Sequence, residues 1–279
     1  MSSDYGPRRI VSLQPSATVM LAAMGELDRL VACTKYCADL CPEVAQRNLA
    51  IVPDSWTANQ NQIMAVRPDL VIAAVPYREK AVIEILKCGT RFLGLAPKTL
   101  LDIYTDMATI AGMVGAGDRG RQGIREIESE IESVRRSTQG KSRPRVFCEE
   151  WGRPLIVSQP WVAELVEAAG GEFVGVPGSE TTPEAVLAED PDVLVAAWCG
   201  VGDRVPLEKL IRVRQWSTMK AARHGRVYLI RDEFLNTPAP TLVHGLRALA
   251  AVIHPQDFPQ PPGLRSMASV AAPVVVQSR

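Results

Sequence analysis

The chain has 279 residues, enough to bury one large core or two of ordinary size. Lys plus Arg and Asp plus Glu both number 31, so the formal net charge is zero; no basic stripe appears, which argues against nucleic acid as the main partner. No run is long and apolar enough to span a bilayer, so no membrane insertion is expected, and the opening MSSDYGPRRIVSL has neither an apolar stretch of signal-peptide length nor a small-residue cleavage site, which predicts a cytoplasmic address.

Residues 9–13 read as a first strand. Ser16 is placed to cap a helix over 17–24 that stops at Gly25. A second short strand over 30–33 leads into residues 34–56, which have little periodicity and carry Tyr36, Cys37, Pro42, Pro53 and Trp56; this predicts a long, functional loop. A short helix before Pro68, a strand over 70–74, a helix over 78–87, a strand over 91–95 and a helix over 99–114 complete the first half, and Gly115-Ala116-Gly117 breaks the pattern. Residues 118–136 then form an amphipathic rod. Ile124, Ile127, Ile131 and Val134 fall in steps of three and four, a thin apolar stripe on an otherwise charged helix that suits a strut between two bodies.

After a polar linker at 140–144, a strand over 145–148 delivers Glu149, Glu150 and Trp151 at its carboxyl end. Trp161 opens a helix to 169, Thr182-Pro183-Glu184 begins another, and residues 193–197 form a strand followed by Trp198-Cys199-Gly200. A last strand over 227–230 leads to Asp232, Glu233 and Phe234 and to the stretch holding Thr237, and a helix over 241–253 closes the second half. From Pro255 on, proline and small residues predict a mostly disordered tail. Trp216 lies in a helical stretch and is expected to pack in the second half.

The two halves echo each other: RPDLVIAA from Arg67 and DPDVLVAA from Asp190 each give a Pro-Asp turn, a short buried parallel strand, and then an aromatic, Tyr77 or Trp198. The economical reading is an α/β fold of two lobes with mainly parallel sheets, 8–115 and 140–254, joined by one long helix at 116–139, with a tail at 255–279. A ligand cleft between the lobes is expected, with Tyr36, Trp56, Tyr77, Trp151, Trp161 and Trp198 facing it from strand ends and loops.

Glu149 and Glu150 point to opposite faces of a strand, so at most one reaches the cleft; Glu150, beside the tryptophan, is the candidate. The six cysteines are expected to be thiols. The even spacing of Cys33, Cys37 and Cys41 invites a metal reading, but the intervals are not those of a CxxC pair and no histidine lies near, so no metal site is expected. No Ser-His-Asp order, phosphate-binding Gly loop or HExxH is present, so no catalytic residues are assigned and a non-enzyme is expected.

RRIVSLQPSAT, DRLVACT, RPDLVI, DPDVLV, HGRVYLI and NTPAPTLVHGL, in this order around one long helix, resemble the helical-backbone substrate-binding proteins, the cobalamin and ferric-siderophore binding components of ABC importers. The likeness spans Arg8 to His254 and is nearest the cobalamin-binding branch through Glu150-Trp151, Trp161 and Cys199-Gly200. It implies a non-catalytic binder of a large, flat metal chelate, a corrinoid first and a ferric siderophore or haem as alternatives, with no cofactor of its own. The ligand-binding set it implies is Tyr36, Cys37, Trp56, Tyr77, Glu150, Trp151, Trp161, Trp198, Cys199, Phe234 and Thr237. Aromatics suit a corrin's broad apolar faces. A metal-handling enzyme using Glu150 with Cys37 or Cys199 is the competing reading. In secreted relatives a glutamate on each lobe meets the permease; the matching positions here are Glu184 and Asn61, so an ABC permease partner would find half of that pair, and an intracellular relative is expected.

Overall fold

The computed structural model describes residues 6–267. The chain divides into two units. The first comprises the residues up to Ser129 together with Thr237–Thr241; the second comprises Glu130–Asn236 and the chain from Leu242 on.

In the first unit, strands β1 (Ile10–Ser12), β2 (Leu30–Cys33), β3 (Ala50–Ile51), β4 (Leu70–Ala74) and β5 (Arg91–Leu95) form a wholly parallel sheet in the order β3-β2-β1-β4-β5. Every residue of β4, LVIAA, is buried, as a central parallel strand covered on both faces requires. The helices are α1 (Pro15–Ala23), α2 (Lys35–Leu40), α3 (Pro42–Ala45), α4 (Gln60–Met64), α5 (Glu79–Lys87), α6 (Leu100–Met113) and the start of α7 (Gly117–Thr138). Caps fix several of them. Thr34 and Asn59 accept N–H groups at the starts of α2 and α4, and Thr99 with Asp102 makes a reciprocal capping box on α6. Val11, Leu13, Val71, Ala73, Ile63 and Ile85 share one core cluster.

In the second unit, β6 (Arg145–Gly152), β8 (Glu172–Phe173), β10 (Val193–Ala196) and β11 (Val227–Ile230) run parallel, while β7 (Leu155–Val157), β9 (Glu180–Thr181) and β12 (Leu264–Ser266) add antiparallel pairings. Its helices are the end of α7, α8 (Pro160–Ala168), α9 (Pro183–Glu189), α10 (Leu207–Val213), α11 (Lys220–Arg223), α12 (Asp232–Leu235) and α13 (Leu242–Ile253). Phe147 meets fully buried Trp216 edge-on, ring centroids 6.4 Å apart. On α7, Ile127, Ile131 and Val134 are buried and the charged faces are exposed, so the thin stripe behaves as its spacing predicts.

The repeat in the sequence is a repeat in backbone chemistry. Arg67 and Asp190, each just before a proline, take left-handed φ values of 45° and 46°. Two residues on, Asp69 accepts the N–H groups of Arg8 and Arg9 at 2.8 and 2.9 Å, and Asp192 accepts that of Arg145 at 2.9 Å. Each aspartate thus ties the start of its strand to the strand beside it.

Four expectations need correction. Residues 34–56 hold α2, α3 and β3 rather than one loop; helices of six and four residues are too short to display a period. Ser16 lies inside α1, because Pro15, with its fixed φ, occupies the first turn and Gln14 stands at the cap. The strand from Arg145 continues through Gly152 and folds back on β7, so Glu149, Glu150 and Trp151 belong to it. The tail from Pro255 is not structureless: Leu264–Ser266 pairs with β11 and Met267 is buried, while the rest of that expectation falls on residues 268–279, outside the described ones.

Half-buried Asp106, on α6, has one carboxylate oxygen that is buried and without a hydrogen-bond partner among the described residues. Burial, then the neighbouring Asp102, pushes its pKa up to about 6. The folded state therefore holds this proton more tightly than the unfolded chain. The associated stability is fully present below about pH 4 and is lost as pH rises through about 6. Asp106→Asn should raise the urea-unfolding stability at pH 7.5 by about 1 kcal/mol, after allowing for solvent screening at a half-exposed site, and change it little at pH 4. An equal effect at both pH values would show that the carboxyl is not strained.

Candidate functional site

In each unit the aromatic and polar candidates collect where parallel strands end, the position at which α/β sheets present loops to ligands. In the second unit the centre is the end of β6. Successive side chains alternate faces, so Glu149 points inward, fully buried, while Glu150 lies on the other side and is only partly covered. The register against β7 shifts between Glu149 and Trp151, a bulge that helps to turn Trp151 outward. Trp151 is 39 % exposed, and its indole N–H donates to the Arg153 carbonyl at 2.8 Å.

Glu149 builds the floor. One carboxylate oxygen accepts the Trp198 indole N–H at 2.6 Å and the other pairs with Arg214. Arg214 also donates to the Gly152 carbonyl at 3.2 Å and lies over the Trp216 ring, 4.7 Å from its centroid, with the Trp198 centroid at 6.0 Å. Burial pushes the Glu149 carboxyl up, and Arg214 and Trp198 pull it back. Gly152 is required here, since a Cβ at that position would stand 2.5 Å from the Trp198 ring. The Trp198 plane is thus fixed from beneath, by the carboxylate, and from one side, by the β6 backbone.

Glu150 accepts from Gln159 Nε2 at 2.6 Å and from the Cys199 thiol at 3.6 Å. Asn236 Nδ2 donates to Cys199 Sγ at 3.3 Å and to the Ala197 carbonyl at 2.5 Å, leaving its buried Oδ1 without a partner among the described residues. Asp232 accepts the N–H groups of Gly200 and Gly202 and so holds the loop after Cys199. Burial, then the Glu150 and Asp232 charges, pushes the Cys199 thiol up, so it stays protonated at neutral pH. Burial also pushes Glu150 up, against its two hydrogen bonds. The result is a polar edge, with a thiol donating to a carboxylate, beside the tryptophans. Phe234 is partly covered, with its ring 5.2 Å from that of His244, and Thr237 is buried.

In the first unit, Gln14, Tyr36, Ser55, Trp56 and Tyr77 follow β1, β2, β3 and β4. Tyr36 is 38 % exposed under the Lys35 ammonium, Trp56 is partly covered, and the Tyr77 hydroxyl lies 2.9 Å from the carbonyls of both Ala73 and Leu95. Gln14 Nε2 donates to Ser55 Oγ at 2.9 Å and ties the loops together.

Three expected contact residues, Cys37, Trp161 and Thr237, are buried. Cys37 is fully buried among Thr34, Ser12 and Cys33 because it is in the first turn of α2 and not in a loop. Trp161 is 5 % exposed, turned into the core by the first turn of α8, with its N–H on the Leu235 carbonyl. Glu184 and Asn61 are both exposed, on α9 and α4. Gln159, Arg214 and Asn236 carry the site's hydrogen bonding; Asn236 opens the NTPAPTLVHGL stretch and Gln159 precedes a helix-opening proline, but neither these two nor Arg214 stood among the expected contact residues. Among the described residues no group of three or more His, Cys, Asp or Glu could hold a metal ion, Cys33, Cys37 and Cys41 included. A cavity of about 410 Å³ at the end of α7 is lined by Arg135, Arg136, Lys141 and Arg143, of which three are already paired, with Glu132, Asp257 and Glu167. It has none of the aromatic cover found at the β6 end.

A family model described as periplasmic binding protein matches residues 10–234. A cobalamin-binding protein of Halobacterium salinarum is 24 % identical over 264 residues, covering 90 % of this chain and 70 % of that one. A vitamin B12-binding protein of Vibrio cholerae is 24 % identical over 250 residues, covering 86 % and 87 %. A solved periplasmic heme binding protein from Pseudomonas aeruginosa superposes with a TM-score of 0.82 at 20 % identity, covering 94 % of this chain and 98 % of that one.

Arg214→Met removes the partner of a carboxylate that has no access to water, and should lower stability by about 3–5 kcal/mol. Without the guanidinium the Glu149 pKa rises further in the folded state, so the loss should be larger at pH 8 than at pH 5, where the carboxyl can fold protonated. Chemical denaturation at the two pH values measures this. A loss that is equal at both would mean that stacking, not charge, is the contribution of Arg214.

Proposed function

Since the chain belongs to the periplasmic binding protein family, we propose that it is a non-catalytic binder of a corrinoid, held against the aromatic end of β6 in its second unit. The observation that carries this reading is the pair Trp151 and Trp198. One is exposed, the other is fixed from below by Glu149 and Arg214, and both stand beside the polar edge of Glu150, Gln159 and Asn236. A corrin offers broad apolar faces rimmed by amide side chains. Rigid indoles cover such faces at small entropic cost, and a carboxylate with two amide side chains can exchange hydrogen bonds with the rim. Similarity to proteins named for cobalamin and vitamin B12 binding supports the same ligand class.

The chemistry of the site favours binding over catalysis. Cys199 is held as a neutral thiol by burial, then by the Glu150 and Asp232 charges, the opposite of an activated nucleophile. We also place the protein's work in a reducing compartment, as an intracellular carrier or buffer. All six cysteines are free, a state that such a compartment maintains. Recovery of the native protein from a membrane-enclosed periplasmic fraction would overturn that placement.

Titration with aquo- and cyanocobalamin, following tryptophan emission and the corrin bands together, should give saturable quenching below tens of micromolar. Trp151→Ala, at an exposed position, should weaken binding about tenfold without lowering stability, the effect of losing roughly 1.4 kcal/mol at a central contact. No quenching by either corrinoid, with haemin saturating instead, would move the ligand assignment to a flat iron chelate.

A further inference from the structure

The second unit also holds a cavity whose chemistry is the reverse of the aromatic β6 end. About 410 Å³ in volume, it is walled by arginine, lysine, glutamate, threonine, glutamine and glycine, with no apolar residue among them. Arg135 and Arg136 enter from the last turn of α7; Lys141 and Arg143 enter from the chain that joins α7 to β6. Arg143 stands two residues before β6 begins, so the cavity lies at the opposite end of that strand from Trp151. Four cations meet three carboxylates here: Glu132 and Glu167 in the wall, and Asp257 beside Lys141.

The existing pairs leave most of the donors unspent. The Arg136 side chain has no ion pair and no hydrogen bond among the described residues. Arg135 stands 3.7 Å from Glu132, beyond hydrogen-bond distance. Lys141 gives one of its three N–H groups to Asp257 at 2.8 Å, and Arg143 reaches both Glu167 and the Gly171 carbonyl through Nη2, which leaves its Nε and Nη1 free. Glu167 is more nearly satisfied, since its second oxygen accepts the Phe173 N–H at 3.1 Å. Arg135 and Arg143 are more than half exposed, so their pairs are weakly held and can admit a further anion. The end of a helix is ordinarily poor ground for an anion, because its last carbonyls lack partners. Here they are taken. The Thr138 hydroxyl is shared between the carbonyls of Val134 and Arg135 at 3.2 and 3.1 Å, and the N–H groups of Gln139 and Lys141 bond those of Arg136 and Thr138 at 3.3 and 3.1 Å. The arginines are therefore not needed to cap α7.

We propose that this cavity is a binding site for a free phosphate-bearing anion, held by the guanidinium groups of Arg135, Arg136 and Arg143 with the Lys141 ammonium as a point charge. A planar guanidinium offers two parallel N–H groups to two oxygens of one phosphate, a match that a monatomic anion cannot make. The volume falls within the range of small-ligand clefts, roughly 300–1,000 Å³, so a diphosphate has room as well as a single phosphate. A phosphate group can also be presented by a lipid. The wholly polar wall favours a soluble ligand, because acyl chains would find no apolar surface to cover. The inference rests on the α7 end of the second unit and is independent of what the β6 end binds.

Calorimetric titration of the intact protein with pyrophosphate and with inorganic phosphate tests this, the ionic strength being held constant with sodium chloride so that screening cancels. Pyrophosphate should saturate one site at about millimolar concentration or below, and more tightly than inorganic phosphate. Arg136→Met, at an exposed position with no partner to lose, should weaken pyrophosphate about tenfold, and Arg136→Lys should recover only part of that loss, because the charge returns without the planar fork. Vesicles of phosphatidylcholine and phosphatidic acid should not carry the protein down on sedimentation. Two results on the wild-type protein would overturn the proposal: no heat beyond the sodium chloride blank with either phosphate, or sedimentation with the vesicles without any response to free pyrophosphate. Pyrophosphate affinity unchanged in both Arg136→Met and Arg143→Met would place the anion elsewhere and overturn it equally.

Discussion

A carboxylate without solvent exposure sits under the aromatic face of the second unit, and the burial of Glu149 constrains everything around it. A buried carboxylate left alone would simply take up a proton, since transfer from water is far too unfavourable to sustain the charge. Here a guanidinium and an indole N–H converge on its two oxygens, and the guanidinium is itself covered by Trp216. Trp198 cannot rotate without breaking its bond to that charge, and its ring lies so close to Gly152 that no side chain fits there. Buried pairs of this kind contribute little net stability compared with apolar packing, but they distinguish one arrangement sharply from its alternatives. The orientation of the half-buried Trp198 is therefore set by residues that face inward.

The same alternation explains how two adjacent glutamates divide the work. Glu149 takes the inner face of β6 and meets only fixed donors; Glu150 takes the outer face and meets Gln159 and Cys199, which a ligand can compete for. A bulge beside them lets Trp151 join the outer side. One strand thus supplies both the foundation and the candidate contact surface.

Much of this was legible in the chain. The fold class followed from the repeated Pro-Asp turn and apolar strand, and the structure gives the repeat a reason: each aspartate ties its strand to a neighbour through backbone N–H groups, after a residue with left-handed φ. The long helix was equally readable, because twenty-two residues give a period time to declare itself. Short elements left no such trace, which is why α2 and α3 looked like a loop and β7 went unseen. At the candidate site, Trp151 and Trp198 were readable from their place at strand ends. Trp161 was not, since which side of a helix's first turn meets the core depends on packing across the sequence; Arg214 and Asn236 are far in sequence from the groups they hold.

The cysteines show most plainly why residue type alone does not give chemistry. Sulfur answers to its neighbours: burial, then the charges of Glu150 and Asp232, keeps Cys199 a thiol, and complete burial, then Glu149, does the same for Cys148. For Cys199 one of these neighbours, Asp232, comes from an element distant in sequence, so residue type at that position did not reveal its chemistry. It follows that the one sulfur beside the tryptophans works as a hydrogen-bonding edge. The aromatic surface there is made by Trp151 and Trp198, and the position of Trp198 traces back to the buried charge pair that fixes it.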